Sequence, residues 1–298
     1  MPRKTSSLPE SDRYLINKLQ EVNQPVITPY QFFRLIQEMY RGGSVRSLRK
    51  DTVPKESQFR IYHKRLSQAE IIDPDPDYHS RLIRVRMVSS RPAEEIVCLA
   101  DPLCYLSHLS AMQRWGLTNR SPSLVTFTRP DRETARARLK DMMEDHPYSL
   151  PPEPLQQQRV NHPKQVRKRE IKVTESGSPG NFVDEMPDRL LRLTTIGQTF
   201  LDMLQRPELC GGMSHVLEVY DEHASFWQDE IIAAVDTCNR KVVKCRAGYI
   251  LEERLQIRHE TIAEWKTAAP QRGGSCKLDP SRDYAPTYSE PWMLSLNV

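Results

Sequence analysis

Two groups of residues have the types that hydrolases and metalloenzymes use. Ser107 is followed by His108, and serine with histidine can act as nucleophile and general base. We place both on one helix, where neighbouring side chains point about 100° apart, so we expect them not to pair. His215, Asp221 and His223 are of metal-binding types, but two histidines without a third ligand nearby rarely hold zinc. The sequence therefore predicts no catalytic residue and no metal site.

The cysteines lack the spacing of known thiol or zinc sites. No CxxC pair and no CxxC with a following HxxxH occurs, which argues against a zinc ribbon and a thioredoxin-like centre. We expect buried or idle thiols at all six positions: Cys98, Cys104, Cys210, Cys238, Cys245 and Cys276.

A glycine pair is the one feature that could indicate a nucleotide-binding site. Gly211 and Gly212 precede a predicted helix, whose first backbone amides could hold an anion. The chain has no GxGxxG loop, no GxxxxGK[ST] loop and no HRD with DFG. We therefore expect no cofactor and no enzymatic activity.

Charge is distributed unevenly along the 298 residues. The net charge is +4, yet residues 1–92 hold 17 Lys and Arg against 10 Asp and Glu, a balance of +7, and the remainder has a balance of −3. A basic segment of domain size is typical of nucleic-acid binding.

Neither a membrane span nor a secretory signal is expected. No apolar run approaches the roughly 18 residues that a spanning helix needs. The first residues, MPRKTSSLPES, are basic but are not followed by an apolar stretch. We predict a cytoplasmic protein without a membrane partner.

The elements that must position the basic residues begin with three helices. Apolar residues recur at helical spacing over 11–22, and Thr28 with Pro29 and Gln31 forms a capping box that starts a second helix. That helix ends at Gly42–Gly43, which suit a left-handed cap. A third helix is predicted over 55–70.

Two strands over 70–72 and 81–87, joined by DPDPDYHS, complete the pattern. Three helices followed by a hairpin predict a winged helix-turn-helix, in which the third helix enters the major groove and the hairpin lies against the DNA backbone. The connection over 41–54 is longer than usual, and we interpret it as an insertion.

The predicted DNA-contacting residues lie on the third helix, on the insertion and on the hairpin. Gln58 and Arg60, on the helix, are predicted to contact bases. Arg49 on the insertion and Arg81 on the hairpin are predicted to contact phosphates. The complete set is Arg46, Arg49, Lys50, Gln58, Arg60, Lys64, Arg65, His79 and Arg81. The alternatives are a solvated charged loop for the insertion and a protein-interaction module for the helix.

The second part of the chain has a mixed pattern. We place the domain boundary between residues 92 and 93. Strands are predicted over 95–100, 123–128, 169–174 and 190–194, helices over 101–116 and 131–146, and a loop over 151–170. Helices over 196–204, 212–223, 227–238 and 241–255 make 93–298 an α+β domain with a helical second half.

Four segments of this part carry distinctive strings. They are CYLSHLSA and WGLT within 104–118, LTT, FLDML and PELCGG within 193–212, RAGYILE at 246–252, and GGSCKLDP with a final tryptophan segment within 273–297. Their order and spacing resemble the AbiEi-like antitoxins of abortive-infection operons, with YLSHLSAL…HGL, T…RTLLDML…P…GG, RLGYLLE and LDP…W. One departure is Gln198, where the family has Arg.

The resemblance implies a two-domain antitoxin of a type IV toxin–antitoxin system. Its winged helix would repress its own operon by binding duplex DNA upstream, and its second domain would counter, directly or indirectly, a nucleotidyltransferase-like toxin encoded beside it. Asp202 and Tyr249 lie inside the motifs and are the candidate antitoxin residues. Two alternatives stay open: a regulator of phage-defence genes without a toxin, and an enzyme that modifies the toxin.

Overall fold

Helices and short strands alternate in a mixed α+β architecture. The structure is a computed structural model, and it describes residues 8–42, 45, 48, 53–145, 155–177, 180–185, 190–267 and 276–298. The chain divides into two compact units. Unit 1 comprises Met1–Cys104, Arg129–Ser178 and Glu185–Leu191; unit 2 comprises Tyr105–Thr128, Pro179–Asp184 and Arg192–Val298.

These units are interleaved along the sequence, whereas the sequence analysis places a single boundary after residue 92. That boundary concerns functional domains and stays a prediction.

Unit 1 begins in the order helix, strand, helix, helix, strand, strand. The elements are α1 (Glu10–Val22), β1 (Val26–Ile27), α2 (Pro29–Arg41), α3 (Glu56–Gln68), β2 (Ile72–Asp75) and β3 (His79–Val85). The predicted helices and hairpin are confirmed as elements, and β1 was not predicted because two residues show no periodicity.

The start of α2 follows from its capping residues. Gln31 donates its backbone N–H to the Thr28 hydroxyl at 3.1 Å, and Thr28 donates its own N–H to Gln31 Oε1 at 2.8 Å. The predicted capping box is confirmed. The expected left-handed end is not found at Gly42, whose φ is −68°.

The first sheet of unit 1 has the strand order β1-β3-β2 and is antiparallel throughout. Val26 pairs with Arg84 and Ile72 with Val85, and the register shifts between Pro74 and Asp75. One face packs on a core of buried residues from all three helices, among them Leu15, Leu19, Phe32, Ile36, Met39, Tyr62 and Leu66.

The remainder of unit 1 comes from later in the sequence. It contains α4 (Ala93–Ala100), α6 (Arg132–Glu144), β6 (Gln165–Val166) and β7 (Arg169–Ser176), which follows β6 as a hairpin. The predicted loop over 151–170 is therefore wrong in its last residues.

The strand predicted over 95–100 is wrong, because this segment forms α4. Its apolar run from Ile96 to Ala100 is buried throughout, so the sequence shows neither helical nor strand periodicity. The helix packs against β1 and β6.

Unit 2 holds most of the helical second half. Its elements are β4 (Tyr105–Leu106), α5 (His108–Arg114), β5 (Leu124–Pro130), β8 (Phe182–Glu185), β9 (Leu191–Thr194), α7 (Ile196–Gln205), α8 (Met213–His223), α9 (Gln228–Asp236), α10 (Lys241–Gly248), α11 (Glu260–Thr267), β10 (Cys276–Lys277), β11 (Tyr288–Ser289) and β12 (Leu294–Ser295). The last two residues of β5, the last residue of β8 and the first residue of β9 belong to unit 1. A 3₁₀ turn covers Pro207–Leu209, and a π-helical segment, Tyr249–Arg254, continues α10.

Two sheets flank these helices. In one of them the strands that lie mainly in unit 2 have the order β5-β4-β9-β8, with Leu106 pairing antiparallel to Phe127 and parallel to Leu193. The other has the order β10-β12-β11 and was not predicted, since its strands have two residues each. The single helix predicted over 101–116 is replaced by β4 and α5.

The core of unit 2 surrounds α7. Phe200, Met203, Leu204 and Tyr220 are buried in it, with the rings of Phe200 and Tyr220 edge to face at 5.0 Å. All six cysteines of the chain are free thiols, and all but Cys276 are buried, as predicted.

In the described residues, no helix combines the length and the apolar character needed to cross a membrane.

Candidate functional site

One side of α3 is exposed, and its residues repeat at helical spacing. Buried Tyr62 and Leu66 anchor the opposite side in the core of unit 1. Ile61 is 50% exposed and is the large apolar side chain on this side of the helix. The exposed residues are Glu56, Ser57, Arg60, Ile61, Lys64 and Gln68. We call this set the α3 face.

Arg60 and Lys64 lie on the α3 face, as predicted from sequence. Arg60 forms an exposed ion pair with Glu56 at 2.8 Å, one turn earlier. Exposed pairs of this kind contribute at most about 1 kcal/mol, so the guanidinium can exchange its partner at little cost. Ile61 belongs to the same face. It is absent from the predicted DNA-contacting set because that set contains only polar and charged residues.

Gln58 and Arg65 have structural contacts instead. Gln58 Oε1 accepts the backbone N–H of Lys55 at 2.8 Å and so caps the start of α3. Arg65 pairs with Asp12 of α1 at 2.8 Å, and the Asp12 carboxylate is buried. Burial raises the pKa of Asp12 above its ordinary value even though Arg65 acts in the opposite direction. Arg65 is therefore needed to compensate a buried acid.

The tip of the β2–β3 hairpin is fixed by acidic residues. Buried Asp75 accepts the backbone N–H groups of Asp77 and Tyr78 at 3.0 and 3.1 Å. Arg167, from the turn between β6 and β7, pairs with Asp75 at 2.5 Å and also with Asp77. A residue distant in sequence thus holds the hairpin that was predicted to be a wing.

A chain of buried polar groups extends from the same tip. The Tyr78 hydroxyl hydrogen-bonds His162 Nδ1 at 2.9 Å, and His162 Nε2 lies 3.3 Å from Asp101 Oδ2. Arg129 also pairs with Asp101 at 3.3 Å and donates to the Val160 carbonyl at 2.7 Å. Burial opposes ionisation of Asp101, but hydrogen bonding to His162 holds its pKa below the ordinary value.

His79 and Arg81 lie exposed at the start of β3. His79 has a left-handed φ of 53°, and Arg81 donates to the Asn161 carbonyl at 3.2 Å. Arg81 also lines a cleft of about 470 Å³ with Thr28 and residues 155–161. The three predicted insertion residues Arg46, Arg49 and Lys50 lie outside the described residues.

In unit 2, Asp202 is a buried carboxylate with neutral partners. Gln198 Nε2 donates to Asp202 Oδ1 at 2.7 Å, and the backbone N–H of His108 also donates to this carboxylate. These hydrogen bonds do not offset burial, which raises the pKa of Asp202 to about 7. Gln198, the position at which the AbiEi-like family has Arg, is thus a neutral partner of Asp202 in this chain.

The expectation that Ser107 and His108 cannot pair is wrong. His108 Nδ1 and Ser107 Oγ are 2.8 Å apart, and Ser107 Oγ is also 2.8 Å from Thr128 Oγ1. Ser107 has an extended backbone before α5, and His108 has a φ of 53°, so helical spacing does not apply. Both side chains are buried, and the contact with Asp202 runs through the His108 backbone.

Tyr249 has different neighbours from Asp202. It is half-buried at the start of the π-helical segment, and its hydroxyl hydrogen-bonds Arg254. Arg254 in turn forms two hydrogen bonds to Asp221, at 2.6 and 2.5 Å. Tyr249 lines a cavity of about 270 Å³ with Ser214, Leu217, Glu218, Arg254, Leu278, Leu296 and Val298.

His215 and His223 pair with neighbouring acids: His215 Nδ1 with Glu218 at 3.2 Å, and His223 Nε2 with Glu222 at 3.7 Å. Across the described ranges, no three His, Cys, Asp or Glu side chains form a group that could hold a metal ion.

Several motif residues serve packing. Arg246 donates to the carbonyls of Lys277 and Leu204, at 3.0 and 2.9 Å, which joins three of the motif segments. A Cβ on Gly248 would lie 2.1 Å from the Trp292 ring, so only glycine fits there. The indole N–H of Trp292 donates to Glu252 at 3.1 Å. The motif residues of this paragraph therefore have structural roles in unit 2.

No family model matches the chain. No curated protein matches it either. Among solved structures, the chain is similar to the crystal structure of the RV2827C protein from Mycobacterium tuberculosis, at 11% identity and a TM-score of 0.48, with 96% of this chain and 91% of the other covered.

Proposed function

We propose that this protein binds duplex DNA through the α3 face and represses the operon that encodes it. The observation that carries the proposal is the α3 face itself, which offers Arg60, Ile61 and Lys64 on one side of an anchored helix. The element order of unit 1 and the sheet order β1-β3-β2 support it, because both are typical of a winged helix-turn-helix. Such a repressor works in the cytoplasm, where its operator is.

The chemistry of the α3 face suits the major groove. An arginine can donate two hydrogen bonds to guanine, and a lysine can contact guanine or a phosphate. An exposed isoleucine matches the methyl group of thymine. Arg60 and Lys64 therefore provide polar contacts to bases, and Ile61 provides an apolar one. Arg81 would contact a phosphate of the DNA backbone.

The test measures binding of the full chain to the duplex upstream of its gene and to random duplex. Arg60→Ala should weaken specific binding by about 1 to 3 kcal/mol and leave random binding less affected. Lys140→Ala on α6, which removes an exposed cation from the same unit, is the control. Equal losses for both variants on both duplexes would refute the role of the α3 face.

We propose as a second function that unit 2 acts as the antitoxin part, as the resemblance to AbiEi-like antitoxins implies. The supporting observation is that the motif segments contact one another: His108 hydrogen-bonds Asp202, and Arg246 hydrogen-bonds Leu204 and Lys277 of two other segments. The partner would be a nucleotidyltransferase-like toxin from the same operon.

This second function is tested by growth of cells that express the full chain with the adjacent gene. Asp202→Asn and Tyr249→Phe should reduce rescue at equal protein levels, while exposed Asp229→Asn should not. Growth arrest that the wild-type chain does not relieve would refute the antitoxin function. A change in the intact mass of the toxin would favour an enzyme over a binding protein.

A further inference from the structure

The β6–β7 hairpin is the most basic exposed element near the tip of the β2–β3 hairpin. Lys164, Lys168 and Lys172 are exposed, and they form no ion pair with the described part of the chain. Arg169 is exposed as well, and Glu170 is the one acid between Lys164 and Lys172. The cations are thus concentrated on one short hairpin.

The turn of this hairpin has an unusual backbone. Arg167 and Lys168 have φ values of 48° and 64°, so both occupy the left-handed region. Two-residue hairpin turns with this geometry favour Asn-Gly, because side chains with a bulky Cβ are disfavoured there. Strained residues of this kind are concentrated at functional sites. Two long cations at these positions therefore call for a functional explanation.

The ion pairs of Arg167 explain one of the two residues. Its guanidinium binds Asp75 and Asp77, and its backbone N–H donates to Asp77 at 3.0 Å. These contacts join the tips of the two hairpins, and the guanidinium offsets one of the two negative charges that would repel a phosphate. Lys168, the next residue in the turn, is left exposed beside them.

We propose that the β6–β7 hairpin is a second backbone-contacting element for duplex DNA, with Lys164, Lys168 and Lys172 binding phosphates. The inference rests on the proposed DNA-binding function and extends it to residues more than 90 positions beyond α3. Phosphate contacts by exposed lysines carry no base preference, so the hairpin would raise affinity for all sequences alike.

The experiment uses the full chain and measures the dependence of DNA affinity on salt concentration. The variant Lys164→Gln/Lys168→Gln/Lys172→Gln should reduce the steepness of log affinity against log salt by about 0.9 for each phosphate that the variant no longer neutralises. The control is Arg132→Gln/Arg136→Gln/Lys140→Gln, which removes the same charge from exposed positions of α6. It should leave the slope close to that of the wild type.

A single variant separates binding from folding. Lys168→Gly relieves the left-handed backbone, so it should not lower the thermal midpoint, yet it should weaken binding to specific and random duplex about equally. A lower midpoint with unchanged affinity would show that Lys168 has a structural role and would overturn the proposal.

The outcomes for the two proposals are distinguishable. If the wild-type chain binds no duplex in a salt-dependent manner, the DNA-binding function itself fails. If the wild type binds and Arg60→Ala weakens it, but the hairpin variant keeps the wild-type slope, only the present inference fails. Equal slope changes in the hairpin and α6 variants would also overturn it, because net charge would then explain the effect.

Discussion

One ionisable group of unit 2 is a buried carboxylate whose hydrogen-bond donors are neutral. Asp202 is 9% exposed and has Gln198 as its side-chain partner, where the resemblance leads one to expect an arginine. An ion pair would favour the charged carboxylate, whereas burial disfavours it. With a neutral partner one turn away on α7, Asp202 therefore has a pKa raised towards neutral pH.

We predict that Asp202 makes the stability of the protein depend on pH. Burial raises its pKa from 3.8 to about 7. Because the folded-state value is the higher one, the stabilisation from the bound proton is complete below about pH 4 and is lost as the pH rises through 7. Asp202→Asn should flatten this decline between about pH 4 and 7 in urea denaturation, and exposed Asp229→Asn should not. If the free energy of unfolding of wild type and Asp202→Asn changed equally with pH, Asp202 would not be the group with the raised pKa.

We further predict that Gln198→Arg lowers the pKa of Asp202. The guanidinium would stand four residues before the carboxylate on α7 and would favour its ionised form. The measurement is the carboxyl resonance of Asp202 followed by NMR through pH 7. Gln198→Ala removes a hydrogen-bond donor and should raise the pH at the midpoint of the Asp202 titration. A shift in the same direction for Gln198→Arg would argue against an ion pair.

At the scale of elements, capping residues allowed the starts of two helices to be predicted. The Thr28 and Gln31 pair fixed the start of α2, and Thr195 caps α7 by accepting the N–H of Gln198 at 3.2 Å. α4 was predicted as a strand because a short run that is buried throughout has no periodicity. The α3 face was found in part: Arg60 and Lys64 are exposed as expected, but long-range contacts decide the roles of Gln58 and Arg65.

The anchoring of the β2–β3 hairpin by Arg167 leads to a prediction about stability. Arg167→Ala leaves the Asp75 carboxylate buried without its cation, and breaking such pairs costs about 3 kcal/mol or more. Arg86→Ala removes an exposed arginine 3.9 Å from Asp73 and should cost less than about 1 kcal/mol. Chemical denaturation of the full chain compares the two. Similar losses would show that the Arg167 pairs are not energetically important.

At the scale of the whole chain, unit 1 is assembled from distant parts of the sequence. Its first segment ends at Cys104, and it resumes at Arg129. Periodicity and capping are local signals, so they could not reveal that residues 155–177 complete the unit that begins with α1. The pairing of Tyr78 with His162, 84 residues apart, is of the kind that local signals miss.

We therefore predict that residues 1–92 alone lack a fixed hairpin tip. The fragment contains Asp75, Asp77 and Tyr78 but neither Arg167 nor His162. Amide hydrogens of Tyr78 and Arg81 should exchange faster in the fragment than in the full chain, while those in the middle of α2 should differ less. Equal protection of the hairpin tip in both would contradict the importance of the long-range contacts.

The ion pair between Asp75 and Arg167 can form only late in biosynthesis. The two residues are 92 positions apart, and ribosomes add about 5 to 20 residues per second. The acidic tip is therefore made roughly 5 to 20 s before its cation. During that interval the nascent chain can form α1, α2 and α3, but two carboxylates at the tip have no counter-charge. The newborn protein thus carries a negatively charged hairpin at first and acquires the mature charge pattern of unit 1 only when the second hairpin has been translated.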